Sequence, residues 1–541
     1  MPRTPRPRRR IAVAAGTVLA CLAAASPAAA AKSDRLELDW APCGEAAAQC
    51  ATATVPKDYG SPRKGTLDIA VAKSPATDPS KRIGSLFFNF GGPGAFAAPY
   101  IQAYGADLFP VLNERFDIIG LDPRGTDIAD GLDCKADQET QGVYSKPFAT
   151  PENVDVNALI RKDTAYIGRC IQRNDDLQYL STANVARDFD AVREAVGDKK
   201  ITYLGFSYGT FLGATLQSLF PGKTRAVVLD GALDPDQYIN DPLDSLDEQT
   251  AGFERAISRF MISCAAHQDL CPFGDGDVRG TVDDLIEQAD ASPIPASNAP
   301  DRPVTGDDIR AALVQEVYSI YAWDDLRDAL VALEAGDGAG IRAIADGFFG
   351  REDDGSYSNG TDKYFLLSAS EQNYPRRIEP YLKAGKASYQ DYDYAYFNHG
   401  YAELNWGLFP IRAKDKYDGP FRTTKRDPTT LVVGTRYDPA TPYKEAKRLV
   451  RQLGNARLLT MTGDGHTAYD GDPSDGFNSE CADQAVEAYL FTLAVPAQGT
   501  KCAQDRPDFT APAAARSLRS AKAAAAKVEI APRTRPLRLP Y

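Results

Sequence analysis

The sequence predicts an α/β fold with a mostly parallel central sheet and a large, mainly helical insertion. Apolar runs rich in β-branched or aromatic residues recur along the chain, and such continuous apolarity is typical of strands buried on both faces. The runs are Leu67–Val71, Ile83–Phe90, Phe116–Leu121, Ile201–Leu204, Ala226–Leu229, Leu431–Val433 and Ala456–Met461. Helical periodicity separates several of them, for example where Val185, Phe189, Val192 and Val196 recur three or four residues apart.

Residues 1–31 are predicted to be a secretory signal peptide. Five Arg and no acid stand in the first ten residues, the apolar run Ile11–Ala25 follows, and small residues precede a cleavage site near Ala30 or Ala31. The consecutive arginines also permit a twin-arginine route, and lipidation of Cys21 is a weaker alternative. No later apolar run reaches the roughly 18 residues that a membrane span needs. We therefore expect a secreted protein with no stable membrane association.

The composition is that of an ordinary globular protein, with 541 residues of which 43% are hydrophobic and 25% charged. The formal net charge is −13, although residues 511–541 hold seven Lys or Arg against the single Glu529. The part between the signal and this tail is therefore more acidic than the whole chain. Such a body argues against nucleic acid or an anionic membrane as a partner and is compatible with cationic substrates.

Eight cysteines remain once Cys21 leaves with the signal peptide, and an even number in an exported chain predicts disulfides. Pairing of sequence neighbours is the simplest arrangement: Cys43 with Cys50, Cys134 with Cys170, Cys264 with Cys271, and Cys481 with Cys502. Scattered buried thiols are the alternative. No Cys-x-x-Cys pair suggests zinc or redox catalysis, and we expect neither a metal nor a cofactor.

The strand rhythm lapses between Leu229 and Leu431, where helical patterns take its place. We therefore predict an α/β core in two halves, residues 32–232 and 426–505, with a helical cap, residues 233–425, between them. Residues 506–541 are predicted to be a disordered basic tail. Nine tyrosines lie from Tyr357 to Tyr401. They fit either the lining of an aromatic pocket or the packing of helices on the sheet.

The strongest local pattern is the Gly-x-Ser-x-Gly turn from Gly205 to Gly209, centred on Ser207. It follows the apolar run Ile201–Leu204 and precedes the helical pattern Phe211–Phe220, which is the context that a serine nucleophile requires. The turn strains the serine backbone, and the helix start brings free N–H groups near a developing oxyanion. A glycine-rich turn without chemistry is the alternative.

A serine nucleophile needs a base, and of the three histidines His466 alone lies in a glycine-rich loop directly after an apolar run near the C-terminus. His267 stands between two cysteines and is expected to be structural, while His399 is expected to line a pocket or to pack. Asp438 follows a buried strand 28 residues before His466, so we predict that it orients the imidazole. An Asp-Pro turn is the alternative for Asp438.

Backbone N–H groups are the expected oxyanion donors. Tyr208, directly after the serine, supplies the first. The glycine-rich loop after Phe88 offers the second, from Gly91 or Gly92, because bare backbone N–H groups can aim at a carbonyl oxygen there.

Together these residues resemble the α/β-hydrolase superfamily and, within it, the secreted tripeptidyl aminopeptidases and related prolyl aminopeptidases and esterases of actinobacterial type. The resemblance covers most of residues 36–505 and includes Trp40–Tyr59, Leu121–Thr126 and Leu229–Gly231. It implies that Ser207 is the nucleophile, Asp438 the acid and His466 the base, with the helical block as a cap over the site.

Two positions depart from the family's pattern. The glycine loop continues as Ala95–Ala98, where the family often has further Gly and Ser. Asp127 stands where a second glycine often follows the threonine of the aspartate-arginine motif. Both departures lie beside the expected acyl pocket, so the substrate preference of the family does not transfer directly.

The first functional hypothesis is an exported serine exopeptidase that releases short peptides, tripeptides in the first instance, from free N-termini through an acyl enzyme. Such an enzyme must bind a free ammonium, for which the candidates are Glu371, Asp391, Asp393 and Glu403. A solvated acidic face is the alternative for each. The second hypothesis is a secreted carboxylesterase for small acyl esters, and the third is a non-catalytic binding module. The expected partner is a peptide or small ester, and the protein is expected to be a monomer.

Overall fold

The computed structural model describes residues 36–44, 47–127, 131–471 and 478–510, which belong to one compact unit. The predicted signal peptide and residues 511–541 of the predicted tail lie outside the described residues. Within the described ranges, none of the helices combines the length and the apolarity needed to cross a membrane.

The described residues contain one ten-stranded sheet in the order β1-β2-β3-β5-β4-β6-β7-β8-β9-β10. Its strands are β1 (Ala41–Cys43), β2 (Ala48–Pro56), β3 (Thr66–Ser74), β4 (Gly84–Asn89), β5 (Phe116–Leu121), β6 (Ile201–Phe206), β7 (Thr224–Asp230), β8 (Thr430–Tyr437), β9 (Ala456–Asp464) and β10 (Lys501–Ala503). The pairs from β5 to β10 are parallel, whereas β1, β2, β3 and β5 pair antiparallel. The predicted mostly parallel α/β sheet is confirmed.

All seven predicted apolar runs lie on strands, and both faces of the central strands are buried. On β4, Leu86 and Phe88 pack into the core on one face, while Phe87 packs into the core on the other. Alternate residues of a strand point to opposite faces, so burial of both faces explains the continuous apolarity. The short strands β1 and β10 and the partly exposed β2 lack such runs, and the sequence pattern did not reveal them.

Sixteen α-helices surround the sheet in the described part of the chain. They are α1 (Ala98–Tyr104), α2 (Pro110–Asn113), α3 (Val156–Arg173), α4 (Thr182–Ala195), α5 (Tyr208–Leu219), α6 (Pro235–Asn240), α7 (Pro242–Ala266), α8 (Val278–Ala291), α9 (Gly306–Glu316), α10 (Trp323–Glu334), α11 (Ala339–Phe349), α12 (Gly360–Glu371), α13 (Glu379–Asp391), α14 (Leu404–Leu408), α15 (Tyr443–Leu453) and α16 (Glu480–Thr492). Ser181 caps α4, because its hydroxyl accepts the N–H of Asn184.

Helices α6 to α14 lie between the parallel neighbours β7 and β8 in sequence. Much of this stretch has an apolar core of its own, in which Phe260, Leu313 and Trp323 are buried. Phe509, inside the stretch predicted to be a tail, packs against Phe260 and Trp323. The helical content agrees with the predicted insertion, while its boundaries at residues 233 and 425 stay a prediction. We refer to residues 233–425 below as the helical block.

The four predicted cysteine pairs are disulfides in the structure: Cys43–Cys50, Cys134–Cys170, Cys264–Cys271 and Cys481–Cys502. The first closes the β1–β2 hairpin and the last joins α16 to β10. Four bridges are characteristic of a protein that matures in an oxidising compartment.

We expect the Cys134–Cys170 bridge to stabilise the fold more than the Cys43–Cys50 bridge. The residues that these bridges join are 36 and 7 positions apart in sequence. In the chain-entropy description, loops of these lengths correspond to about 4 and about 2 kcal/mol. Urea unfolding of the two double Cys→Ala variants should show the larger loss of unfolding free energy for the Cys134/Cys170 pair. Equal losses would contradict the entropic account.

Candidate active site

Ser207 occupies the sharp turn between β6 and α5, with φ +54° and ψ −124°. Its N–H donates to the carbonyl of Asp230 on the neighbouring strand at 2.9 Å, and Thr210 N–H donates to its carbonyl at 2.8 Å. A Cβ on Gly205 would lie 2.4 Å from the carbonyl oxygen of Gly209, so the turn requires glycine where strand and helix cross. The strained serine is therefore held by bonds on both sides, and it lines a cavity.

Asp438 and His466 meet at the ends of β8 and β9. The imidazole Nδ1 of His466 lies 2.9 Å from Oδ1 and 3.0 Å from Oδ2 of Asp438. The carboxylate is fully buried and also accepts the N–H groups of Ala440 and Thr441 and the hydroxyl of Thr441. A buried carboxylate held in this way keeps the proton of the neutral imidazole on Nδ1 and leaves Nε2 able to accept one.

The loop that carries His466 is anchored on two sides. Its backbone N–H donates to the carbonyl of Tyr318 in the helical block at 2.7 Å. The carboxylate of Asp230 accepts the N–H groups of Ala468 and Tyr469, and its burial raises its pKa to about 6. His466 Nε2 is buried without a hydrogen-bond partner among the described residues, and His466 lines the same cavity as Ser207.

The predicted oxyanion donors surround Ser207. Gly91 lies directly against the turn, since a Cβ there would be 2.8 Å from Ser207 Cβ and 3.2 Å from the nitrogen of Tyr208. The N–H of Gly91 already donates to the side chain of Asn89 at 3.1 Å. Gly92 lines the cavity, and the next residue, Pro93, has no N–H. The geometry therefore favours Gly92 over Gly91 as the second expected oxyanion donor, beside the N–H of Tyr208.

The cavity has a volume of about 1240 Å³ and lies between the carboxyl ends of the strands and the helical block. This exceeds the roughly 300–1,000 Å³ of ordinary small-molecule sites. Aromatic rings form much of the wall: Phe90, Phe109, Tyr144, Phe206, Tyr318, Tyr364 and Tyr374 are among them. Of the nine tyrosines between Tyr357 and Tyr401, Tyr364 and Tyr374 line the cavity, while others, such as Tyr394, pack in the core of the helical block.

Carboxylates outnumber cationic groups on the cavity wall. Its acidic residues are Glu316, Asp324, Asp325, Glu445 and Asp470. Arg506 is the one Lys or Arg among the described residues of the lining, and Asp324 is paired with Arg327. No sequence pattern singled out Glu316 or Glu445, because each becomes a wall residue only when a helix end faces the cavity.

The four predicted substrate-binding carboxylates are not among the residues that line the cavity. Asp391 and Asp393 are exposed, and Asp393 pairs with Arg279. Glu371 is buried against Thr182. Glu403 is fully buried directly behind the wall, where Tyr374 donates its hydroxyl to Oε1 at 3.1 Å.

Glu403 also binds His399, whose Nδ1 lies 2.6 Å from Oε2. Although burial acts in the opposite direction, the adjacent Glu403 carboxylate raises the pKa of His399 above its usual value. His399 is therefore a buried partner of a carboxylate. The third histidine, His267, lies beside the Cys264–Cys271 bridge with its Nδ1 2.8 Å from the carbonyl of Ser263. The described residues contain no cluster of His, Cys, Asp or Glu that could hold a metal ion.

Two known families match parts of the chain. A family described as alpha/beta hydrolase fold matches residues 85–267, and a family described as TAP-like protein matches residues 405–502. Among solved structures, a proline iminopeptidase from Mycobacterium smegmatis is 12% identical with a TM-score of 0.32, over 81% of this chain and 97% of its own.

Three curated relatives are similar over most of their length. A Mycobacterium tuberculosis protein named serine protease Hip1 is 30% identical over 86% of this chain and 91% of its own. Carboxylesterase B of the same species is 30% identical over 84% and 86%. A tripeptidyl aminopeptidase of Streptomyces coelicolor is 27% identical over 88% and 87%.

The fold, the family matches and the relatives together define a serine hydrolase. The chain belongs to the α/β-hydrolase family.

We expect Gly231→Ala to impair catalysis more than folding. Gly231 has φ +61°, and a Cβ there would lie 2.9 Å from Cε1 of His466, so the imidazole must shift. A misplacement of about 1 Å in a catalytic group can cost roughly 100-fold in rate. Steady-state kinetics on an acyl ester should show this as a lower kcat.

Gly454→Ala is the matched control, because Gly454 has φ +76° but no atom within 4 Å of the added Cβ. It introduces the same kind of backbone strain without the collision. Similar losses of kcat in the two variants would show that strain, rather than displacement of His466, is responsible.

Glu445 should make the stability of the protein depend on pH. Burial raises its folded-state pKa from 4.5 to about 8. As pH rises through that interval the unfolded chain loses its proton first, so the free energy of unfolding falls. Glu445→Gln should remove this fall, and the unfolding free energy of the variant minus that of the wild type should increase by up to about 5 kcal/mol between pH 4.5 and 8. Denaturant unfolding at several pH values measures it, and a difference that stays constant with pH would refute the assignment.

Proposed function

We propose that the protein is an exported serine exopeptidase that releases short peptides, tripeptides in the first instance, from free N-termini. The observation that carries this proposal is the cavity, which places Ser207 and His466 in one chamber with acidic walls. The relatives named serine protease and tripeptidyl aminopeptidase support it. The four disulfides and the predicted signal peptide support export.

Ser207 acts as the nucleophile in this proposal. His466 Nε2 takes the proton of the serine hydroxyl while Oγ attacks the carbonyl carbon of the scissile bond, and Asp438 stabilises the imidazolium that forms. The N–H groups of Tyr208 and Gly92 stabilise the negative oxygen of the tetrahedral intermediate. His466 then gives the proton to the leaving amine, and a water molecule activated by the same imidazole hydrolyses the acyl enzyme.

Selection for a free N-terminus requires a site for an ammonium group. We assign this site to Tyr374 with Glu403 behind it. The Tyr374 hydroxyl donates its proton to the Glu403 carboxylate, so its lone pairs remain to accept a hydrogen bond from an ammonium in the cavity. On the cavity wall Asp324 is paired, and burial keeps Glu445 neutral up to its pKa of about 8. The described wall then has Glu316, Asp325 and Asp470 against Arg506, so it favours a cation over an anion.

A carboxylesterase is the second candidate function. One relative is named carboxylesterase B, and the aromatic wall near Ser207, with Phe90, Phe109 and Phe206, is suited to an acyl chain. An esterase uses the same nucleophile, base and acid. It has no need for the ammonium site, which gives the two candidates different substrate requirements.

A substrate panel distinguishes the candidates. Purified mature protein is assayed on a chromogenic tripeptide amide with a free N-terminus, on its N-acetylated twin and on a short-chain acyl ester, with Ser207→Ala as the blank. The exopeptidase should cleave the free tripeptide and spare the acetylated one. Cleavage of the ester without either peptide would transfer the function to the esterase. Equal cleavage of both peptides would contradict the exopeptidase.

Glu403→Gln should raise the KM for the free tripeptide about tenfold and leave the KM for the ester unchanged. The variant removes the charge that polarises Tyr374, and a tenfold change corresponds to about 1.4 kcal/mol, within the range of a charge-assisted hydrogen bond. Asp391→Asn is the matched control, because Asp391 is an exposed acid of the same segment. Equal effects of the two substitutions would rule out a local ammonium site at Tyr374.

A further inference from the structure

We propose that Glu371 is a positioning residue that holds Tyr208, the residue directly after the nucleophile, through the hydroxyl of Thr182. This inference rests on the proposed function, since it concerns the turn that presents Ser207. It assigns Glu371 a role in the reaction although its carboxylate is not part of the cavity lining.

The three side chains form a continuous buried chain of hydrogen bonds. Thr182 donates its backbone N–H to Glu371 Oε1 at 2.8 Å and its hydroxyl to Oε2 at 2.5 Å. The Tyr208 hydroxyl bonds to the same Thr182 hydroxyl oxygen. Thr182 is fully buried, and Glu371 and Tyr208 are 4% and 6% exposed. Both carboxylate oxygens are therefore occupied by Thr182.

The ionised form of Glu371, which predominates above its raised pKa of about 7, gives this hydrogen-bond chain a direction. An ionised carboxylate can only accept hydrogen bonds, so the single proton of the Thr182 hydroxyl goes to Glu371. Thr182 must then accept from Tyr208, which fixes the orientation of both hydroxyl groups. An amide in place of the carboxylate can donate to Thr182 and would allow the opposite direction.

The hydrogen-bond chain connects three separate parts of the fold. Glu371 is the last residue of α12 in the helical block, Thr182 is the first residue of α4, and Tyr208 is the first residue of α5. The Tyr208 ring also packs against Phe211 and Tyr238, with ring centroids 6.0 and 6.3 Å away. Its backbone nitrogen faces Gly91 in the glycine loop. We infer that holding this ring in place helps to hold the adjacent backbone N–H that we assign to the oxyanion.

Packing alone does not account for a carboxylate at this position. Burial raises the pKa of Glu371 to about 7, although both bonds from Thr182 oppose this rise. The ammonium of Lys416 donates to the backbone carbonyl of Glu371 at 3.3 Å, and its charge opposes the rise in the pKa of the carboxyl only in part. A neutral side chain of similar shape would be easier to bury, because it carries no charge to desolvate. The hydrogen-bond chain to Tyr208 is what the carboxylate adds.

The test compares the kinetics of variants of the mature protein in which the hydrogen-bond chain is broken. Each variant is assayed on the acyl ester and on the free tripeptide amide. Thr182→Val keeps the shape but removes the hydroxyl, Tyr208→Phe removes the donor, and Glu371→Gln removes the charge. Each should lower kcat about tenfold on both substrates, with KM within twofold. Thr182→Ser, which restores the hydroxyl, should recover most of the rate lost in Thr182→Val.

The double variant Thr182→Val/Glu371→Gln should lose no more than the larger single loss, because members of one chain are not additive. Thr215→Val is the matched control. Thr215 is a buried threonine on the same helix as Tyr208, and its hydroxyl has no hydrogen-bond partner among the described residues. It should keep the wild-type kcat. Thermal unfolding of every variant confirms that the comparison is between folded proteins.

Wild-type kcat in folded Thr182→Val and Tyr208→Phe would overturn the proposal, and Tyr208→Phe preserves the ring should Thr182→Val fail to fold. An increase in KM for the free tripeptide alone would also overturn it, because Glu371 would then act on substrate binding. The proposed function has a separate readout. If Ser207→Ala retains activity, the assignment of the nucleophile fails, whatever kcat the variants of the hydrogen-bond chain show.

Discussion

The architecture depends on the close approach of backbone segments around Ser207. The serine has a left-handed backbone conformation, and it persists because its N–H is bonded to β7 and its carbonyl to α5. Gly205 lets the strand cross the helix, and Gly91 lets the glycine loop lie against the serine. The strain is stored in the turn and is compensated by the packing of strands that are buried on both faces. The other parts of the site are arranged around this fixed point.

Buried carboxylates connect separate segments within the helical block and around the loops that carry Asp438 and His466. Asp438 and Asp230 each accept backbone N–H groups from loops at the strand ends, and Asp230 thereby holds the segment that follows His466. Glu403 binds His399 within the block, and Glu371 joins the block to α4. Such groups are costly to desolvate and are tolerated where their hydrogen bonds are satisfied. The acidic composition therefore reflects internal connections as well as the charge of the cavity wall.

The sequence pattern was sufficient to place Ser207, Asp438 and His466 just after apolar strands, and the structure has all three at the ends of parallel strands, with His466 bonded to Asp438. It was insufficient for the substrate side. Glu371, Asp391, Asp393 and Glu403 stand close to tyrosines in sequence, but none of them lines the cavity. Asp391 and Asp393 are exposed and Glu371 lies against Thr182, so that Glu403 alone, directly behind Tyr374, keeps a place in the proposed ammonium site. Glu316 and Glu445, which do line the cavity, stand in helices whose orientation no local pattern encodes.

The sequence by itself indicated the fold class, the apolar strands, the glycine-rich turn around Ser207 and the simplest pairing of the cysteines. Each of these depends on local chemistry: periodicity, glycines at a turn, or cysteines near one another along the chain. The tertiary structure decided the antiparallel strands β1 and β2, the position of Gly91 against the Ser207 turn with its N–H bonded to Asn89, and the path from Glu371 to Tyr208. Strands β1 and β2 pair with near neighbours, but they are short or partly exposed and lack the continuous apolar run that marks a strand in sequence. Gly91 bonds to the nearby Asn89, yet only the fold brings it against Ser207. Thr182 and Glu371 are 189 positions apart, and a partner at such a distance leaves no periodic signal beside the residue that it binds.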